Sequence, residues 1–131
     1  MRVRCDRIVY PPGGPDEREL EAHPRVTIGK EYIVLQMVWG PGKELEIGIL
    51  DDDGHTGSQW PARMFTTTDV AVPSNFGARI YEDGRVQLAP RSWLRDGFWD
   101  EVTGSTGSDR ATRLAAADLY KRELEIVVTE S

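Results

Sequence analysis

The residues best equipped for chemistry lie in one short stretch, Asp51-Asp52-Asp53-Gly54-His55, three carboxylates and an imidazole within five positions. A calcium loop of EF-hand type needs oxygen ligands at alternate positions, Gly at its sixth and a bidentate Glu at its twelfth. Counted from Asp51, Gly54 is the fourth residue and Ala62 the twelfth, so that spacing is absent and no metal or cofactor is expected. His23 and His55 are the two histidines, and neither has a second ligand or a nucleophile at informative spacing. Ser58 and Ser74 lack the Gly-x-Ser-x-Gly setting of a nucleophile elbow. Gly29-Lys30 and Gly42-Lys43 lack the glycine spacing of a phosphate loop, and each lysine is followed by a Glu that would repel phosphate. The one cysteine, Cys5, cannot form an internal disulfide and reads as a buried strand residue. These absences point away from an enzyme. A small enzyme stays open as an alternative, and it requires folding to gather Cys5, a histidine and carboxylates in one pocket.

Charge suggests a different use. The net charge of −6 is the wrong sign for nucleic acid, because neutralising phosphates with Lys and Arg supplies most non-specific affinity. Five acids, Glu44, Glu46, Asp51, Asp52 and Asp53, cluster with no base between the first and the last. A field of that sign speeds encounter with a basic protein partner. The plain alternative is that these acids keep an exposed strand and turn soluble. Of the four tryptophans, Trp60 follows the acidic turn and is expected to be partly exposed, an aromatic anchor beside the carboxylates. The other three suit a core.

These residues must be carried by strands. Residues 26 to 53 read as one long antiparallel hairpin. Tyr32 to Trp39 is apolar at nearly every position and should be covered on both faces. Leu45, Ile47 and Ile49 alternate with Glu44, Glu46 and Gly48, and Gly40-Pro41-Gly42 supplies the turn. Before it, Val3 to Tyr10 predicts a first strand ended by Pro11-Pro12-Gly13-Gly14-Pro15, and Asp16 to Ala22 a helical turn closed by His23-Pro24. After it come an Asp53-Gly54 reversal, a return strand at Ser58 to Trp60, a connector over residues 61 to 64 and a strand at Phe65 to Val70. A second hairpin spans residues 78–89 around Asp83-Gly84, and short helical turns carrying Trp93, Phe98 and Trp99 fill 90–103. Gly104 to Gly107 forms a loop. A helix then covers about 109–125, with an apolar stripe of Leu114, Ala117, Tyr120 and Leu124, and the β-branched Ile126-Val127-Val128 should fray or extend.

No apolar run approaches the roughly 20 residues that cross a bilayer, and the N-terminus lacks the apolar core of a secretory signal, so a cytoplasmic protein without a membrane role is expected. Length suits one domain, 1–131, with a barrel core over about 1–72. Thirteen of sixteen basic residues are Arg, a bias frequent in GC-rich bacterial genomes.

Thr27-Ile28-Gly29-Lys30-Glu31-Tyr32-Ile33-Val34-Leu35, followed by the Asp-Asp-x-Gly turn, Trp60 and Phe65, resembles small SH3-like β barrels of bacterial and phage origin. In those, the T-x-G-K-x-Y-x-V element enters the first long barrel strand. The longer layout, with Pro73-Ser74-Asn75 and Trp93-Leu94-x-x-Gly97-Phe98-Trp99, is similar to small proteins of GC-rich bacteria, some of them suspected immunity factors for toxins. Together these readings predict a mainly β (α+β) fold, an SH3-like barrel or strongly bent antiparallel sheet with one C-terminal helix. The expected function is a non-enzymatic protein-binding module. One form is an immunity-type inhibitor presenting Glu44 to Asp53 and Trp60 to a basic toxin; a peptide-binding accessory module is the alternative, marked by exposed aromatics without a charge requirement.

Overall fold

The computed structural model describes residues 1–105 and 107–131. The chain is mainly β: β1 (Arg2–Cys5), β2 (Ile8–Tyr10), β3 (Arg18–Leu20), β4 (Glu31–Gly40), β5 (Lys43–Ile49), β6 (Ser58–Pro61), β7 (Phe65–Asp69), β8 (Phe76–Ile80) and β9 (Val86–Pro90). Single 3₁₀ turns occupy Ala62–Met64 and Arg91–Leu94, and the helices are α1 (Phe98–Thr103) and α2 (Arg110–Thr129). The expected loop at 104 to 107 includes position 106, which lies outside the described residues.

Both predicted hairpins form, and they share one sheet. β4 pairs with β5 along one edge. Its other edge is divided, with β1 opposite Glu31 to Ile33 and β9 opposite Met37 to Trp39. The path β6-β5-β4-β1-β7 bends without closing, since β6 and β7 do not pair among the described residues.

β4 is covered on both faces, as its continuous apolar run predicts. Tyr32 and Val34 enter a core with Cys5, Ile8, Ile47, Trp60 and Met64, while Leu35 enters a second core with Phe76, Trp93, Phe98 and Val127. A register shift between Val34 and Gln36 accommodates Leu35 as an extra residue. The strand therefore joins two layers, and α2 lies on the second. Gly48 makes room for this crowding, because a Cβ there would stand 2.5 Å from Gln36 Cγ. The buried Gln36 amide is in turn tied down, accepting from Gln87 Nε2 at 2.9 Å.

Four local expectations need correction. The strand predicted from Val3 to Tyr10 is two strands, because Asp6 and Arg7 turn aside and donate their N–H groups to Met64 O, so β2 leaves the main sheet. The helical turn predicted at Asp16 to Ala22 is β3, whose Glu19 and Leu20 face Val9 and Ile8; tertiary pairing overrides the helix preference of a short polar segment. The helix does not fray at Ile126. It continues to Thr129 because Val127 is fully buried, and Glu130 accepts from Ser74 N at 2.7 Å and Ser74 Oγ at 2.6 Å just past its end. The buried stripe runs through Ala116, Leu119, Tyr120, Leu124 and Val127, so Tyr120 and Leu124 pack as expected while Leu114, 58% exposed, lies off the stripe.

Candidate partner-binding groove

The T-x-G-K-x-Y residues and one acid of the cluster form a single latch. Thr27 Oγ1 donates to Asp52 Oδ2 at 2.7 Å, Lys30 Nζ reaches Asp52 Oδ1 at 2.5 Å, and Tyr32 OH donates to the same oxygen at 3.0 Å. Tyr32 OH also accepts from Thr27 N at 2.6 Å. Burial raises the Asp52 pKa, but the bonds from Lys30, Thr27 and Tyr32 and the Lys30 charge prevail, holding the carboxyl below the ordinary carboxylate range. Asp52 thus fixes the β5–β6 loop to the entry of β4.

Other members of the acidic edge are also engaged internally. Asp51 is buried, its Oδ1 accepting from Asp53 N at 3.0 Å and His55 N at 2.9 Å, which closes the turn around Gly54 with φ 76°. Glu44 Oε1 accepts from Arg63 Nε at 2.5 Å, and Arg63 also pairs with Glu17 of the β2–β3 ribbon. Glu46 and Asp53 are exposed and hold no ion pair among the described residues. The five acids therefore do not present one negative edge. Trp60 requires a correction as well: it is 5% exposed, donating to Ser58 Oγ at 2.6 Å. Its register opposite Ile47 places it on the core side of β6.

A groove does exist beside these residues, and sequence reasoning missed it. A cavity of about 660 Å³ runs past Val38, Trp39, Pro61 and Glu46, and a second of about 580 Å³ past Tyr10, His23, Arg25 and Trp60. Pro12 and Gln59 line both, so the two adjoin along β6. β6 is an end strand, bonded among the described residues to β5 alone. The opposite wall is the ribbon turn after β2, held by Gly13 N donating to Glu17 Oε1 at 3.0 Å and by Arg63, which ties Glu17 to Glu44.

The aromatics of the groove are ordered by contact. The rings of His23 and Trp60 lie 4.9 Å apart edge to face, and those of Tyr10 and His23 5.2 Å apart. His23 Nδ1 accepts from Arg25 N at 3.1 Å, so in the neutral ring the proton sits on Nε2. Tyr10 at 45% and Trp39 at 36% exposure mark the two ends. The one sequence signal was Pro11-Pro12 beside Tyr10, yet only folding brings that turn opposite Pro61. Charges along the groove are mixed, Lys43, Arg25 and Arg85 against Glu44 and Glu46.

No constellation of Cys5, histidine and carboxylate is gathered among the described residues. Cys5 is fully buried, its thiol donating to Arg7 O at 3.4 Å, and burial pushes its pKa up, which disfavours the nucleophilic thiolate. His23 lies in the groove, while His55 stands with Asp51 and Asp53, their ligand atoms within 4.8 Å of one another. No helix among the described residues is long and apolar enough to cross a membrane. Comparison of the chain with protein families, with curated proteins and with solved structures returns no match.

Proposed function

We propose that the protein is a non-enzymatic, cytoplasmic binding module that takes an extended peptide segment of a partner protein into the groove along β6. The observation that carries this reading is the adjoining pair of cavities framed by exposed Tyr10 and Trp39, with Pro12 and Pro61 on the walls. Aromatic and proline surfaces of this kind suit a polyproline-type or extended strand, whose ordering cost is already low. Gln59, exposed on β6, offers a side-chain amide to the peptide backbone. Because the lining charges are of both signs, recognition rests on packing rather than on net charge. An SH3-like barrel open between β6 and β7 is the architecture we assign to the bent sheet, supported by the path β6-β5-β4-β1-β7 and by the Thr27 to Leu35 resemblance.

The test is selection of displayed peptides against the full chain, followed by titration of the best binder. Trp39→Ala and Tyr10→Ala should each weaken binding by roughly ten-fold, as expected of aromatic anchors. Affinity should change by no more than about two-fold between low and high salt, where exposed charges are screened. A selected peptide that binds both variants as tightly as the unaltered protein would show that the groove is not the site. A second reading, capture of a basic toxin by an immunity-type inhibitor, is favoured by the net charge of −6 and by Glu46 and Asp53, which hold no ion pair among the described residues. It requires an on-rate that falls steeply with ionic strength, and a partner whose on-rate ignores salt excludes it.

A further inference from the structure

We infer that Asp51, Asp53 and His55 form a binding site for a divalent transition-metal ion of the zinc class. Their ligand atoms already lie within 4.8 Å of one another. Alternation along the turn explains the grouping, since Asp52 points away into the Thr27-Lys30-Tyr32 latch while its neighbours on either side converge with His55.

A cluster of acids would say little by itself, because surface carboxylates gather without an ion. The second observation is Asp51, 5% exposed, with a carboxylate oxygen, Oδ2, that is buried and has no hydrogen-bond partner among the described residues. Leaving a buried acceptor unsatisfied is costly, the more so for a charged group. Oδ1 is taken up by the N–H groups of Asp53 and His55, which leaves Oδ2 as the oxygen of Asp51 that lacks a partner among the described residues. A cation bound there would give Oδ2 its partner.

The donor set decides the class. Two carboxylates and a neutral imidazole balance a divalent charge, and the imidazole favours zinc-like ions over calcium or magnesium, which prefer all-oxygen shells. Ligand atoms around a tetrahedral zinc stand about 3.3 Å apart for bonds near 2.0 Å. The exposed side chains of Asp53 and His55 therefore need to close by at most about 1.5 Å, which rotamer changes at the surface permit. Bound metal would stiffen the β5–β6 turn, whose Thr56 Oγ1 lies 2.5 Å from Tyr120 OH on α2.

Titration of the full chain with zinc chloride, followed by calorimetry, tests the site. One equivalent should bind, His55→Ala and Asp53→Asn should each lower affinity at least ten-fold, and His23→Ala should leave it unchanged. Both side chains under test are exposed, so their variants should fold as the unaltered protein does. Asp51→Asn, whose amide oxygen can still accept the two N–H groups, should weaken zinc binding likewise. The inference fails if no saturable one-to-one binding is seen, if His55→Ala binds as tightly as the unaltered protein, or if magnesium binds as well as zinc.

Discussion

Replacing Val127 by Ala tests whether the second core, rather than local preference, holds the end of α2. The side chain is fully buried among residues of that core, whereas its neighbour Val128 is 40% exposed. Val→Ala removes the equivalent of two methylene groups, about 1.6 kcal/mol of transfer free energy at about 0.8 kcal/mol each. A cavity that does not collapse adds to this. Alanine, the better helix former, returns roughly 0.5 kcal/mol. The net expectation is a loss of about 1–2.5 kcal/mol for Val127→Ala. Val128→Ala gains the same helix preference and, with the side chain 40% exposed, gives up only about 1 kcal/mol of burial, so its net cost should stay within about 0.5 kcal/mol. Urea unfolding of the two variants beside the unaltered protein measures the difference, read as midpoint shifts at unchanged slope. Equal effects, or a loss below about 0.5 kcal/mol at Val127, would refute the view that tertiary burial overrides the β-branched preference there.

Gly48→Ala should cost about 1–3 kcal/mol in the same assay, because the new Cβ must displace Gln36 and break its bond to Gln87; an unchanged midpoint would mean that Gln36 has room elsewhere. The Thr112 N–H, at 2.7 Å, holds the Asp109 carboxyl below the ordinary carboxylate range at the start of α2. A pKa depressed on folding contributes stability that is full above the unfolded value and lost as pH falls through the folded one. The melting deficit of Asp109→Ala should therefore be present at neutral pH and shrink on acidification, and a deficit constant down to strongly acid pH would discount the cap. At the groove, Trp39→Ala should lower peptide affinity while leaving the melting temperature near that of the unaltered protein, since the ring is already partly in solvent; a parallel fall in both would make Trp39 a structural residue.

The parts legible in sequence are those fixed by local rules. Period-two alternation at Leu45, Ile47 and Ile49, the Gly40-Pro41-Gly42 turn and the Asp83-Gly84 reversal each specify a hairpin from neighbouring residues alone. Trp60 was misplaced because adjacency to an acidic turn says nothing about which face of a strand a residue occupies. Its opposition to Ile47 does, and that register exists only in the folded sheet. The internal partners of the acidic cluster were hidden from the sequence for a similar reason. Charge count along the chain is blind to Lys30, Arg63 and the turn N–H groups that engage Asp52, Glu44 and one oxygen, Oδ1, of Asp51.

By itself the sequence determined strands, turns and the existence of a C-terminal helix, because backbone preference and side-chain alternation act over a few residues. Tertiary structure alone decided which acids remain free, where α2 ends, and that Pro12 and Pro61 face each other across a groove. Those outcomes depend on contacts between residues tens of positions apart, and their energies, from burial to ion pairing, arise only once the strands have closed around two cores.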